Sequence, residues 1–400
     1  MRIKHWRNDH EPRGDQRISV SVEYQDGSEE EVWFTLPEEA PASPSGNPWL
    51  ALMLPLAAAS GEDLRLDLPA DAYLKHNAEA LVKLWTAWHP EMCHPIRILA
   101  ETIPPAAPRE GVVSTFTAGL DSFFTVLRHP ECKHFINVLG LDMPLWKRDA
   151  YDRLTARLER IAGQLGARLL RMSTNVRETR WGKLPWESYA ASGVLSASMH
   201  LLEGRFGTGL IPSALDIRVS DSSGTHSLTT PLYSSSTMRI IYDGTSHSRA
   251  EKMEALAGER IVLENLHVCF MGQDTHGQDD TNCSRCGKCL RTMLVLDALG
   301  KLDECPMFDL SRYSVELAGR MECVRPTTRY YIMDVREIAE RHGRQDIVRQ
   351  LDLSIRRSKR AALLDRFGNT PFLWRLPIYY RKRAFRGLAK LQRVTQAAPA

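Results

Sequence analysis

The 400-residue chain lacks any apolar run long enough to cross a bilayer. Its longest, Trp49 to Ala59, is interrupted by Pro55. The opening residues, Met1-Arg-Ile-Lys-His-Trp-Arg, hold no apolar core of the kind a signal peptide needs, so a cytoplasmic protein with no membrane association is expected. Charge of one sign is also missing: 52 basic against 49 acidic residues leave a formal +3, and no whole-protein field argues for nucleic acid. Hydrophobic content of 43% and charged content of 25% exclude disordered, collagen-like and coiled-coil classes. No Gly-Lys-Ser/Thr occurs in a glycine-rich setting, so there is no Walker A loop.

The near-neutral total conceals an uneven distribution. Residues 354–400 carry 12 Lys/Arg against Asp365 alone, which leaves −8 on the first 353 residues. The tail interleaves cations with aromatics, in Arg356-Arg-Ser-Lys-Arg360 and Tyr379-Tyr-Arg-Lys-Arg-Ala-Phe-Arg386. Such a face tracks nucleic-acid phosphates, lies on an anionic membrane, docks the acidic body of a partner, or packs on the acidic remainder of the chain with Trp374, Tyr379 and Phe385 buried and the cations wet.

Three segments follow from the rhythm of the chain. In residues 1–105, Arg17-Ile-Ser-Val-Ser-Val-Glu-Tyr and Glu31-Val-Trp-Phe-Thr-Leu flank Asp26-Gly27 and predict a hairpin. With the helical stretch from Ala78 to Trp88, they predict a small α+β accessory domain. Pro104-Pro-Ala-Ala-Pro108 reads as a linker. From 106 to 309, short apolar strands alternate with helices, which predicts an α/β doubly wound parallel sheet. Its strands are expected at Gly111–Phe116, His134–Leu141, Ala167–Met172, Gly207–Ile211 and Glu264–Phe270. Residues 310–400 read as a basic helical extension.

Cysteine is concentrated rather than paired along the chain. Cys283, Cys286 and Cys289 have the spacing C-x2-C-x2-C, and Cys269 precedes them by fourteen residues. Four thiolates so spaced suit a closed, tetrahedral Zn2+ site of structural type, the bland alternative being a redox dithiol or a chance cluster. Cys93, Cys132, Cys305 and Cys323 are scattered apolar filler. Arg285, Lys288 and Arg291 are too few to make this a nucleic-acid-binding ribbon by themselves.

The other motif is Ser114-Thr-Phe-Thr-Ala-Gly-Leu-Asp-Ser122: a strand, a turn of small residues and a helix start. Small residues let backbone N–H groups approach an anion, and the helix N-terminus adds unpaired donors and a positive dipole end. Thr117 and Ser122 offer hydroxyls to phosphate, and Asp121 offers a hard carboxylate to Mg2+. The bland alternative is an ordinary strand-to-helix turn with a polar cap.

This stretch resembles the PP-loop of the ATP pyrophosphatase family, Ser-Gly-Gly-x-Asp-Ser. Thr117 stands at the family's serine, Ala118 and Gly119 at its glycines, Leu120 at the variable position, Asp121 at the aspartate and Ser122 at the last serine. Thr117 and Ala118 depart from the pattern. Together with the cysteine cluster, the loop resembles the 7-cyano-7-deazaguanine synthase branch of that family, over about residues 111–305. The resemblance implies a PP-loop, adenine-nucleotide-hydrolase-like fold with ATP, Mg2+ and Zn2+. It implies a ligase that activates a carboxylate, such as a 7-deazaguanine acid, as an acyl-adenylate for attack by ammonia or an amine. Some members with added segments belong to antiphage operons, where a protein partner replaces ammonia. Adenine is then expected at Gly140-Leu141-Asp142, and phosphate or substrate carboxylate at Ser213, which follows a strand end. Arg249 and Lys252 are expected to offset charge on departing pyrophosphate, or else to form a solvated helix start with Glu251. Trp181, Trp186 and Tyr189 either stack a flat base or fill the core. The rival readings are a tRNA-modifying PP-loop enzyme, which would use the basic tail, and a nucleotide-binding scaffold without turnover.

Overall fold

A computed structural model describes residues 1–10, 15–219, 223–269, 281–323 and 326–368. The chain divides into two compact units which, among the described residues, hold 1–248 and 249–269 with 281–368.

The first unit is built on one ten-stranded, mostly parallel sheet flanked by helices. Its hairpin forms where Asp26-Gly27 predicts it: β2 (Asp15–Glu23) and β3 (Glu29–Pro37) pair antiparallel from Glu23↔Glu29 to Asp15↔Pro37. Gly27 takes φ +81° in the turn, a backbone conformation that favours glycine. Strand β1 (Arg2–His10) pairs antiparallel with β2 and parallel with β4 (Leu64–Asp71), which pairs in turn with β5 (Ile98–Ile103).

The five strands of the first hundred residues do not form a sheet of their own. β3 pairs antiparallel with β8 (Arg168–Thr174) through Phe34↔Thr174 and Thr35↔Ser173, which joins them to the parallel strands β6 (Gly111–Thr115), β7 (His134–Leu139), β9 (Phe206–Pro212) and β10 (Arg239–Asp243). The order across the sheet is β10-β9-β6-β7-β8-β3-β2-β1-β4-β5. Helix α1 (Asn47–Ser60) explains the apolar run of the sequence. Asn47 through Ala58 are all buried, so the helix is apolar on every side because every side is covered. The remaining helices of this unit are α2 (Ala72–Trp88), α3 (Leu120–Arg128), α4 (Arg148–Gln164) and α5 (Ala191–His200).

The sequence places a fifth strand at Glu264–Phe270, of which Phe270 lies outside the described residues; residues 264–269 form no strand, and the fifth parallel strand is β10. Residues 260–265 are helical, and Leu266 to Cys269 run without a strand partner. The side chain of Asn282 supplies what a neighbouring strand would: its Oδ1 accepts from Val268 N (2.8 Å) and its Nδ2 donates to the Leu266 carbonyl (2.8 Å).

A buried polar clamp ties the loop before α1 to the end of α5. The Glu203 carboxylate, 7% exposed, accepts from Ser43 Oγ (2.7 Å), Ser45 Oγ, Asn47 Nδ2 (3.0 Å) and Thr237 Oγ1 (2.8 Å), and faces His200 Nδ1 at 3.4 Å. Burial alone would raise its pKa, but these donors, His200 foremost, outweigh burial and hold the carboxyl down at about 2. A depressed folded-state pKa contributes stability at pH values above the unfolded pKa of about 4.3, and loses it as pH falls from there towards 2. Glu203→Ala removes the acceptor that four side-chain donors share, two of them, Ser43 and Asn47, buried. It should cost about 3–5 kcal/mol at pH 7 in urea unfolding, and much less near pH 3. A loss under about 1 kcal/mol at pH 7 would show that the clamp is ornamental.

The second unit is helical: α6 (Arg249–Leu256), α7 (Arg260–Asn265), α8 (Gly287–Ala298), α9 (Pro326–Arg341) and α10 (Gln345–Gly368). α10 carries the first cations of the basic tail. Ser354 Oγ donates to the Met321 carbonyl (2.7 Å), Ser358 Oγ accepts from Cys323 N (2.9 Å), and Arg357 donates to the Gly319 carbonyl (3.2 Å). Trp374 and the segment Tyr379 to Arg386 lie outside the described residues. Among the described residues, no helix is long and apolar enough to cross a membrane.

Candidate functional site

The parallel half of the sheet has a topological switch point. From β6 the chain moves to β7 and β8 on one side, then returns to place β9 and β10 on the other. Connections leaving the carboxyl ends of β6 and β9 therefore run in opposite directions along the sheet, and such a switch point is the usual ligand position in open α/β sheets. Thr117 to Ser122 leave β6 there and Ser213 leaves β9, while Gly140-Leu141-Asp142 leave the end of β7.

The loop after β6 is anchored at its base. Phe116 N donates to the Ile136 carbonyl (2.9 Å), and Asn137 Nδ2 donates to the Phe116 carbonyl (2.9 Å). Thr117 is exposed, whereas Ala118 is fully buried and takes φ +54°, a left-handed conformation that costs a non-glycine residue about 1–2 kcal/mol. This backbone conformation favours glycine, and the alanine methyl is covered by protein. Gly119 is the N-cap of α3, with Asp121 in the first turn. Thr117 N donates to Ser122 Oγ at 3.4 Å and Gly119 N to Thr117 Oγ1 at 3.3 Å, while Ser122 Oγ donates to the Gly119 carbonyl at 3.0 Å. The two N–H bonds are long and weak, so a phosphate oxygen can replace the hydroxyls as acceptor.

Neighbouring loops are fixed as tightly. Gly140 takes φ +94°, and a Cβ there would lie 1.9 Å from the Thr174 carbonyl oxygen, so only glycine fits. Asp142 is exposed. Ser213 is fully buried, with its N–H on the Asp243 carbonyl (2.7 Å). Trp181 is core, its indole N–H donating to the Leu52 carbonyl (2.9 Å), and Tyr189 is core as well. Trp186 is half-buried under the Arg177 guanidinium, 4.2 Å from its ring centroid.

Sequence reading misses several groups here. Tyr242 accepts from Ala214 N (3.2 Å) and lies 3.1 Å from Thr225 Oγ1. Burial pushes its phenol pKa up, and the charge of Asp121 adds to the rise. With Leu215, Asp216 and His226 it lines a small cleft beyond β9. Asp243 accepts from Thr125 Oγ1 (2.8 Å) and meets His129 Nε2 (3.1 Å), whose other ring nitrogen meets Glu131 (2.8 Å). Burial opposes the charge on His129, but the two carboxylates raise its pKa above the ordinary value. The sequence already marks Asp243 as the start of a polar cluster after Tyr242, with Gly244, Arg249, Glu251 and Lys252; Thr125 and His129 look in sequence like ordinary helix surface.

Arg249 and Lys252 fall in the second unit, on the first turns of α6, with Lys252 buried. The same unit brings the four cysteines together, with all four sulfurs within 4.8 Å of one another. The Cys269–Cys286, Cys283–Cys289 and Cys286–Cys289 sulfurs are 3.7, 3.8 and 3.5 Å apart. A tetrahedron with Zn–S bonds of about 2.3 Å has edges of about 3.8 Å, so this set could hold a metal such as zinc with little movement. Cys286 N points at Cys283 Sγ (3.4 Å) and Cys289 N at Cys286 Sγ (3.5 Å), the donors that thiolates need. Hydrogen bonding from Cys289 holds the Cys286 thiol well below the ordinary range and pushes Cys289 the other way. A dication would replace the proton they share. Ser284 supports the turn at φ +57°, and Arg312 caps it by donating to the Cys283 carbonyl (3.2 Å). Comparison of the chain with protein-family models, with curated proteins and with solved structures finds no match.

Proposed function

We propose that the chain is an ATP-dependent ligase of PP-loop type, forming AMP and pyrophosphate, with a structural zinc site of four cysteines. The observation that carries this reading is the position of Thr117–Ser122: at the topological switch point of the sheet, between a parallel strand and a helix N-terminus, with Asp121 in the first helical turn. In this reading the N–H groups of the loop and of the start of α3 bond phosphate oxygens, Thr117 adds a hydroxyl donor, and Ser122 adds another on turning its O–H away from the Gly119 carbonyl. Asp121 is the residue to hold Mg2+, which supplies positive charge beside the phosphates. A substrate carboxylate oxygen attacks the α-phosphorus as the α–β bridge breaks and pyrophosphate leaves. Ammonia or an amine then attacks the acyl carbon, and AMP departs. No covalent enzyme intermediate is needed, so the protein's contribution is positioning and charge stabilisation.

The loops after β7 and β9 supply the remaining surface. Gly140 to Asp142 are assigned to adenine, and Ser213, which is buried until its loop shifts, to phosphate or the acid. A 7-deazaguanine acid is the first substrate to try, and a protein amine is an alternative acceptor to ammonia. The scaffold reading has one observation in its favour: the loop's N–H groups already bond its own hydroxyls. Pyrophosphate release from ATP, measured with 7-carboxy-7-deazaguanine and then with other carboxylic acids, separates the two. Acid-stimulated release supports the ligase, and ATP binding with no release under any acid supports the scaffold.

A further inference from the structure

Asp243, the last residue of β10, joins three parts of the first unit. Its backbone carbonyl accepts the N–H of Ser213, just past the end of β9 (2.7 Å). Its carboxylate holds α3 at two places, accepting from Thr125 Oγ1 (2.8 Å) and meeting Nε2 of His129, the C-cap of that helix, at 3.1 Å. Thr125 and Asp243 are both buried, so water dilutes these bonds little. The other ring nitrogen of His129 meets Glu131 at 2.8 Å.

A neutral imidazole has one N–H and can donate to one carboxylate; the second would face a lone pair. Carboxylates in contact with both ring nitrogens therefore define an imidazolium, and the negative end of the α3 dipole favours the same charge. The other titratable groups around α3 are placed elsewhere. β6 and β9, which pack on α3, are Gly111–Thr115 and Phe206–Pro212 and hold none. On β10, Arg239 is exposed at the far end, and Tyr242 alternates to the opposite side of the strand from Asp243. His247, in the loop after β10, stacks on Phe124 of α3 with ring centroids 5.0 Å apart, and Arg128 turns its guanidinium over the same phenyl ring (4.9 Å). Beyond Glu131, Lys133 is exposed and His134 meets Arg205 (2.9 Å).

We propose that the His129 imidazolium is a positioning residue for phosphate binding at Thr117–Ser122. With Thr125 it clamps α3 to Asp243, and Asp243 also fixes Ser213, so one residue sets the loops after β6 and β9 relative to each other. The role rests on the reading of Thr117–Ser122 as a nucleotide site. Burial opposes the charge on His129, but Glu131 and Asp243 outweigh it and raise the pKa above the ordinary value of about 6.5. The clamp is therefore complete below about pH 6.5 and is lost as pH rises through the raised pKa. On deprotonation the exposed Glu131 turns to water, while buried Asp243 keeps a neutral donor in place of a charged one, which is a weaker bond.

The test is calorimetric titration of Mg-ATP into the zinc-loaded full chain at about pH 6 and about pH 9, read as the ratio of variant to wild-type Kd so that titration of ATP itself cancels. His129→Gln, which keeps a neutral donor, binds about threefold or more weakly than wild type at the lower pH and equally at the higher. Glu131→Gln, at an exposed position outside α3, moves the midpoint of the wild-type pH dependence downward, because His129 loses one of the carboxylates that hold its proton. Ratios near one for His129→Gln at both pH values overturn the role, as does equal weakening at both, which marks a structural contact alone. An unmoved midpoint in Glu131→Gln assigns the pH dependence to another group and overturns it too. A wild type that binds no ATP at either pH removes the nucleotide reading and this role with it, whereas binding with unchanged ratios removes the role alone.

Discussion

Replacing Cys286 with serine is expected to empty the cysteine cluster of zinc and to melt the part of the second unit organised around it. Cys286 is the hub of the cluster: its sulfur lies 3.7 Å from that of Cys269 and 3.5 Å from that of Cys289, and it is also the N-cap of α8. A serine hydroxyl can keep the cap but is a poor zinc ligand. Zinc bound to such sets contributes folding energy directly, about 10–16 kcal/mol in small zinc-binding peptides, as large as the whole stability of a typical domain. The expected result is near-stoichiometric zinc in the wild type, little in Cys286→Ser, and protease sensitivity confined at first to residues around 266–312. Cys305→Ser is the control, because Cys305 is buried but outside the cluster, so it should keep its metal. Equal zinc and equal stability in wild type and Cys286→Ser would refute a metal centre here.

The second large effect is catalytic. Asp121→Ala should reduce acid-stimulated pyrophosphate release by a factor of about a hundred or more, the usual scale for removing a charged group that positions phosphate and metal. The fold should be unaffected, because Asp121 is half-buried in the first turn of α3 and Gly119, not Asp121, is the N-cap. Asp121→Asn separates charge from shape: it keeps the size of the side chain but cannot hold Mg2+ as a carboxylate does. Unchanged turnover in both variants, with unfolding midpoints as in wild type, would remove the loop from the mechanism.

The parts of the molecule that sequence reveals are those whose chemistry is local. Asp26-Gly27 dictates a turn because glycine reaches φ +81° there without cost, and the flanking β-branched residues then pair. The strand–small turn–helix pattern at 111–128 is likewise written in adjacent residues, as is the spacing of the cysteines. What escapes is set by distant partners. The pairing of β3 with β8 rests on Phe34 and Thr35 meeting residues about 140 positions later. β10 is a five-residue strand, too short to announce itself against Glu264–Phe270, whose apolar run serves the cysteine limb through Asn282. Glu203 reads as a surface glutamate until Ser43, Ser45, Asn47 and Thr237 gather round it.

The central claim, AMP-forming activation at Thr117–Ser122, is tested most directly by the identity of the nucleotide product. ATP labelled at the α-phosphate should be converted to AMP, with one pyrophosphate released per AMP, only when a suitable carboxylic acid is present and only when Asp121 is intact. ADP and inorganic phosphate as products, or AMP formed equally by Asp121→Ala, would contradict it.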